Sequence, residues 1–224
     1  MAADLQEITL RARDLLPAMK ERLSAVKAQA AQNGKALTGK SNVKVASEST
    51  IKIKNPDGTV NAVREQAANP GANRQLFHDS GKLTDQPIPG IDKPSSSGKR
   101  NRSFLTADGD VLSPYLTIER ILKEYGEDAG RELLMKFPIL QIVKGRPVCL
   151  DCLVDLPKLA AHYDIPAILL FDEYNKRFLF WRKGMPFQLV PLGRDAVKLD
   201  IAGLATKVLA LGGSRVDENY EEDR

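Results

Sequence analysis

The spacing of apolar residues from residue 110 onward predicts alternating helices and strands. Short continuous apolar runs are typical of buried strands, whereas recurrence at three- and four-residue spacing indicates a helix with one buried face. The predicted elements are helices over 116–135, 149–163 and 201–211, and strands over 138–143, 167–171, 177–181 and 187–192. The helix over 116–135 is expected to break at Gly126 or Gly130. This order predicts an α/β fold in which helices cover a mixed sheet.

A separate periodicity occupies the first 34 residues. Apolar residues recur at three- and four-residue spacing in an otherwise polar segment, which predicts an amphipathic helix over 3–31. Pro17 interrupts the pattern and is expected to kink the helix or divide it in two. Two interpretations are open: the helix docks on a partner, or it packs back on the domain that follows.

Residues 35–103 show the pattern of a small hairpin followed by a linker. Two alternating segments flank the turn sequence Asn55-Pro-Asp-Gly58, which indicates two short strands. From 67 to 102 the chain is rich in glycine, proline and serine, a composition typical of linkers. We therefore expect an extended N-terminal arm and one α/β domain. The predicted divisions are a docking helix over 1–34, a hairpin and basic linker over 35–103, the α/β domain over 104–213 and an acidic tail over 214–224.

Charge is distributed unevenly between the two halves of the chain. Residues 1–112 carry 17 basic and 12 acidic residues, a net charge of +5, whereas residues 113–224 carry a net charge of −1. A basic arm favours nucleic acid or a protein assembly as partner, although a solvated tail has the same composition. Aromatic residues near 178–181 add a stacking surface or, alternatively, belong to a buried strand. The candidate nucleic-acid contacts are Lys99, Arg100, Arg102, Lys176, Arg177 and Arg182.

The sequence shows no sign of a membrane span or a signal peptide. No apolar run approaches the ~18 residues that cross a bilayer, and the first residues lack a short apolar core. We therefore expect no membrane partner and a cytoplasmic protein, or one delivered as part of an exported or assembled particle. Phosphate-binding loops, dinucleotide fingerprints and serine-nucleophile elbows are missing, which argues against the enzyme classes built on them.

The two cysteines of the chain stand three positions apart, between a predicted strand and a predicted helix. Cys149 and Cys152 could share a metal ion, form a redox-active disulfide or pack as buried hydrophobic residues. A thioredoxin-like fold fits least well. Only thirteen residues separate Cys152 from Pro166, which leaves no room for the strand and helix that such a fold requires.

In this arrangement the chain resembles the zinc-dependent cytidine and adenosine deaminases, and among them the bacterial toxin deaminases, over roughly residues 110–192. Their signature places H-x-E at the start of one helix and P-C-x-x-C at the start of the next. Here Pro147-Val-Cys149-Leu-Asp-Cys152 has one extra residue after the proline. The resemblance implies a zinc ion bound by Cys149 and Cys152, with Glu119 as the proton carrier.

One ligand of that signature is missing, which leaves two functions open. Thr117 stands where the family has its histidine, and a hydroxyl is a poor zinc ligand. His78 lies in the predicted linker, and His162 lies about three helical turns beyond Cys149. The first function is hydrolytic deamination of a nucleobase or nucleotide at a zinc-bound water. The second is a non-catalytic component whose N-terminal arm, residues 1–103, binds a large complex or nucleic acid.

Overall fold

The computed structural model describes residues 2–35, 37, 42–78, 87–91 and 107–190. This part of the chain has mixed α/β structure, which confirms the predicted fold class. The predicted closing helix and acidic tail, and most of the linker, lie outside the described residues. The described elements are α1 (Ala2–Gln32), β1 (Ala46–Lys54), β2 (Val60–Ala68), α2 (Pro70–Leu76), α3 (Gly109–Tyr125), α4 (Glu127–Leu134), β3 (Ile139–Lys144), α5 (Leu150–His162), β4 (Ala167–Asp172), β5 (Arg177–Arg182) and β6 (Gln188–Val190).

All of these strands join one sheet, in the order β2-β1-β3-β4-β5-β6. Strands β3 and β4 are parallel and are connected through α5, whereas the other neighbouring pairs are antiparallel. Ala46 of β1 lies opposite Ala68 of β2 on one side and Lys144 of β3 on the other. The hairpin, expected in an arm outside the α/β domain, is therefore part of its sheet. The division expected at residue 104 separates strands that pair with each other.

Helices cover both faces of the sheet, and the side chains of β1 distinguish the two layers. Glu48 binds Arg11 of α1, whereas the hydroxyl of Ser47 lies 2.8 Å from that of Ser113 in α3. Successive side chains of a strand point to opposite faces, so α1 and α3 lie on opposite sides. Helices α4 and α5 contact α3 and extend its layer.

The N-terminal helix packs on the domain that follows it. Pro17 lies inside α1, which continues without division. The apolar side chains of this helix are part of the common core, and its buried stripe consists of Ile8, Ala12, Leu15, Met19 and Leu23. Burial of such a stripe is the main source of stability for an amphipathic helix.

The buried carboxylate of Glu48, in β1, binds α1 to the sheet. The side chain of Glu48 is 2% exposed. It accepts hydrogen bonds from Arg11, with 2.6 Å between Nε and Oε1 and a second bond from Nη2 to Oε2, and from Gln66 Nε2 at 2.8 Å. A buried carboxylate requires such partners, because desolvation of an unpaired charge costs several kcal/mol.

Helix α3 begins one turn earlier than the sequence pattern indicates. The pair Ser113-Pro114 predicts the helix start, yet α3 begins at Gly109 and contains Pro114 in its interior. Proline has no N–H, so the carbonyl group four residues earlier, on Asp110, lacks its helical donor. Gln141 of β3 replaces that donor, because its Nε2 bonds the carbonyl oxygen of Asp110.

The break predicted after this helix falls at Gly126, between α3 and α4. Gly126 has a φ of +82°, a conformation that favours glycine, whereas the alternative position, Gly130, lies inside α4. In the described ranges, no helix combines the length and the apolar content that crossing a membrane requires.

Candidate metal centre

A cavity of about 540 Å³ lies at the end of the sheet where the parallel strands β3 and β4 terminate and helices α3 and α5 begin. Ligands of α/β proteins commonly bind outside the carboxyl ends of parallel strands. The cavity wall includes both cysteines and two aspartates, Asp108 and Asp110. The cysteine pair is therefore located at a cavity large enough for a small molecule.

The cysteines begin helix α5. Cys149 is the N-cap residue, and its Sγ accepts a hydrogen bond from the backbone N–H of Cys152 at 3.1 Å. The two sulfur atoms are joined as a disulfide in this structure. In the reduced form, the partial positive charge of the helix N-terminus favours thiolate, the form of cysteine that binds metal ions.

Asp108 adds a third potential ligand from the start of α3. It is the N-cap residue of that helix, and its Oδ2 lies 3.9 Å from the Sγ of Cys152. One ligand atom from each of Asp108, Cys149 and Cys152 lies within 4.8 Å of the other two, so this group could hold a metal ion. A disulfide and a bound metal exclude each other, because the metal requires both thiolates.

A second carboxylate, Asp110, lines the same cavity two residues after Asp108. Asp110 is 4% exposed and belongs to the first turn of α3. Gln141 fixes its backbone through the carbonyl group that Pro114 leaves without a donor. The wall that carries the potential ligands thus also carries a buried acid whose main chain is held by Gln141.

Between the two aspartates, Gly109 allows α3 to approach the end of β2 closely. A Cβ at this position would lie 2.9 Å from the carbonyl oxygen of Ala68. Sequence reasoning missed both aspartates. The signal that could have identified them is the sequence Asp-Gly-Asp at 108–110, one turn before Ser113-Pro114, because it can begin a helix with two acidic side chains.

The two positions predicted on the preceding helix lie away from this cavity. Thr117 is fully buried, and its Oγ1 donates to the carbonyl oxygens of Ser113 at 3.0 Å and Ser49 at 3.2 Å. Glu119 follows Asp108 by eleven residues, about 16 Å along a helix. Burial of Tyr115 and the nearby charge of Glu119 raise the pKa of Tyr115, to which Glu119 is hydrogen-bonded. Neither residue is in the cavity wall.

The histidines also lie elsewhere. His78 follows α2, where its Nδ1 lies 3.0 Å from the carbonyl oxygen of Gln75. His162 is the last residue of α5 and packs close to Gly90. Neither histidine is in the cavity wall, so the potential third ligand beside the cysteines in the described structure is the carboxylate of Asp108 and not an imidazole.

Three of the six candidate nucleic-acid contacts, Lys176, Arg177 and Arg182, lie in the part of the chain that the structure describes. Lys176 pairs with Glu173, and Arg177 Nε lies 3.0 Å from Asp172 Oδ2, so both are bound to carboxylates of their own hairpin. Arg182 lies at the opposite end of β5, about 17 Å from Arg177 at the rise of a strand. The other three candidates, Lys99, Arg100 and Arg102, lie outside the described residues. The neighbouring aromatic residues of β5, namely Phe178, Phe180 and Trp181, are buried.

The loop that leads from β3 to the cysteines depends on Gly145. Its φ is +101°, and a methyl group there would overlap the backbone carbonyl of Lys44. We expect Gly145→Ala to lower the free energy of unfolding by about 1–2 kcal/mol for backbone strain and by about 1–3 kcal/mol more for the overlap. Urea denaturation followed by circular dichroism measures the loss.

The matched control for this prediction is Gly184→Ala. Gly184 has a similar φ of +84°, but no atom lies within 4 Å of the position that a Cβ would occupy. Only the strain contribution, about 1–2 kcal/mol, is therefore expected there. Equal losses for Gly145→Ala and Gly184→Ala would show that the close contact with Lys44 is unimportant.

Comparison of the chain with protein-family models, curated proteins and solved structures gives no match. The function must therefore be argued from the geometry of the cavity itself. That geometry consists of two cysteine sulfurs, joined as a disulfide, and a carboxylate close enough to share one ion after reduction, with a further carboxylate in the same wall.

Proposed function

We propose that the chain is a zinc-dependent hydrolase that deaminates a nucleobase. One observation carries the proposal: the Asp108–Asp110 pair at the start of α3 and the Cys149–Cys152 pair at the start of α5 meet at one cavity. In the deaminase signature, one helix start supplies a ligand and, two residues later, a catalytic acid, and the next helix start supplies two cysteines. Asp108 and Asp110 take the first two positions in this arrangement.

The donor set suits zinc. Thiolate sulfur and carboxylate oxygen are both ordinary zinc ligands, and catalytic zinc sites have three protein ligands with a fourth position for water or substrate. Asp108, Cys149 and Cys152 would hold the ion. A zinc ion bound there would supply a Lewis acid that lowers the pKa of a coordinated water.

Asp110 is the proton carrier in this proposal. Hydrolytic deamination replaces an exocyclic amino group by oxygen from water and releases ammonia, so a proton must move from the water to the departing nitrogen. General acid–base catalysis requires a carboxylate within reach of both atoms. Asp110 has that place because it lines the cavity and is not one of the three proposed ligands.

Metal analysis is the first test. After reduction and equilibration with zinc, we expect about one zinc ion per chain by elemental analysis. The Cys149→Ser/Cys152→Ser variant and Asp108→Ala should retain far less, because each removes part of the ligand set. Glu119→Gln is the control and should bind as much zinc as the unaltered chain, since Glu119 lies outside the cavity wall.

The oxidised protein extends this test. With the Cys149–Cys152 disulfide intact, zinc should not be retained, because both ligand sulfurs are already bonded. Full zinc binding by the Asp108→Ala variant would contradict the assignment of the third ligand. No zinc in the reduced, unaltered chain would contradict the proposed function.

The disulfide itself favours a second candidate function, thiol–disulfide exchange. A disulfide at a helix N-terminus beside a cavity has the setting of a redox-active pair. Reduction of a model disulfide substrate by a chain that binds no zinc would support this alternative. The assembly function through residues 1–103 has less support, because α1, β1 and β2 pack within the domain instead of extending from it.

A further inference from the structure

Two basic residues, Lys44 and Arg146, line the same cavity as the candidate ligands. Lys44 precedes β1 and Arg146 follows β3. Because Ala46 of β1 pairs with Lys144 of β3, each basic residue lies two positions beyond that pair, at the same end of the sheet. Gly145 brings the two segments into contact, since its Cα packs against the backbone of Lys44.

These two cations differ from the other basic residues near the cavity. Lys144 lies 3.4 Å from Glu173, and Lys176 pairs with the same carboxylate. Among the described residues, Lys44 and Arg146 make no ion pair, although Asp108 and Asp110 lie in the same cavity wall. Two cations beside a cavity, without carboxylate partners, favour an anionic ligand such as a phosphate.

An aromatic side chain completes this part of the cavity. Tyr174 lies in the turn between β4 and β5, lines the cavity and is 53% exposed, which is unusual for a large ring. Nucleobases stack on exposed aromatic rings while cations hold the phosphate next to them. Tyr174, Lys44 and Arg146 together therefore match a base and its phosphate.

We infer that the substrate is a phosphate ester of a nucleoside, with its phosphate held by Arg146 and Lys44 and its base against Tyr174. This inference rests on the proposed function, since it places the base in the cavity of the metal centre. The phosphate comes either from a mononucleotide or from the backbone of a single strand. Free bases and nucleosides lack the group that the two cations recognise and should be poor ligands.

Binding and turnover are measured separately on the reduced, zinc-loaded protein. The probes are the nucleoside, its 5′-monophosphate and a trinucleotide, each in a cytosine and an adenine series. Calorimetry gives the dissociation constant, and ammonia release gives kcat/KM. We expect at least one monophosphate to bind about tenfold more tightly than its nucleoside, the size of effect that charge-assisted hydrogen bonds produce.

The variant Lys44→Gln/Arg146→Gln should bring this affinity ratio to about one. Lys136→Gln is the control for loss of a basic side chain elsewhere on the surface: Lys136 precedes β3, at the other end of that strand, and pairs with Glu132 at 3.6 Å. It should leave the ratio unchanged. Equal binding of nucleoside and monophosphate by the unaltered chain, or an unchanged ratio in the double variant, overturns the inference.

The two readouts keep the two proposals apart. If the ratio behaves as expected but no probe releases ammonia, the phosphate site stands and the deamination proposal fails. If the nucleoside is deaminated as efficiently as the monophosphate and the double variant has no effect, deamination stands and the phosphate site fails. Tighter binding of the trinucleotide than of the monophosphate identifies a single strand as the source of the phosphate, and equal binding identifies a mononucleotide.

Discussion

Asp110→Asn is expected to lower the deamination rate by about 10²- to 10⁴-fold, the usual contribution of a positioned acid–base group. Asparagine keeps the size of the side chain but cannot accept the proton that must reach the departing nitrogen. The backbone at this position should stay in place, because Gln141 bonds the main-chain carbonyl and not the carboxylate. Ammonia release under substrate saturation measures the effect, and zinc content should be unchanged.

Glu119→Gln is the matched control, since it makes the same chemical change on the same helix. Glu119 is bonded to Tyr115 and is not in the cavity wall, so its amide variant should retain the deamination rate. The opposite result, loss of activity with Glu119→Gln and none with Asp110→Asn, would return the role of proton carrier to Glu119.

Glu48→Ala is expected to lower the free energy of unfolding by about 1.5–3 kcal/mol, the usual contribution of hydrogen bonds to a charged group, because Arg11 is 34% exposed and stays partly hydrated when its partner is removed. The variant leaves the guanidinium of Arg11 and the amide of Gln66 without their shared acceptor beneath α1. It also opens a space on the α1 face of the sheet, where β1 lies between β2 and β3. Denaturant unfolding monitored by circular dichroism measures the change.

Arg13→Ala provides the comparison on the same helix. Arg13 pairs only with its neighbour Asp14, and both side chains are well exposed, 72% and 67%. Exposed pairs of this kind contribute little to stability, because water and salt screen the two charges. A loss for Glu48→Ala no larger than that for Arg13→Ala would show that the buried cluster does not anchor the helix.

Much of the second half of the fold could be predicted because its strands are apolar on both faces. Strands β3, β4 and β5 are buried along most of their length, so their continuous apolar runs correctly predict strands. A break was expected at Gly126 or Gly130, and it falls at Gly126, whose positive φ suits few other residues.

The place of the hairpin could not be predicted, because most of β1 is buried although six of its nine residues are polar or charged. Four consecutive polar residues are typical of a solvent-exposed segment. In β1 all four are buried, namely Ser47, Glu48, Ser49 and Thr50. Glu48 and Ser47 have partners from distant parts of the chain, Arg11 and Ser113 respectively. Hydrophobic periodicity cannot identify a strand whose burial depends on hydrogen bonds across 37 and 66 positions of sequence.

The candidate site was predicted only in part for a similar reason. Cys149 and Cys152 were placed correctly at a strand–helix junction, because the apolar run before them and the helical pattern after them are strong. The sequence does not point to Asp108 and Asp110, because proline is typical of the first turn of a helix and Pro114 therefore indicates a helix that begins after them. Gln141 makes an earlier start possible, and its role is visible only once β3 lies against α3.

The order in which the sheet is assembled follows from the position of β1. Its second neighbour, β3, begins at Ile139, 85 positions after the last residue of β1, Lys54. At synthesis rates of about 5–20 residues per second, β3 leaves the ribosome roughly 4–17 s after β1. During this interval β1 can already pair with β2 and pack against α1. The other edge of β1, which later pairs with β3, has no partner, and unpaired edges associate readily with other strands. Closure of the sheet is therefore a late step of folding, and the hairpin is the segment that a nascent chain must keep from pairing with the wrong strand.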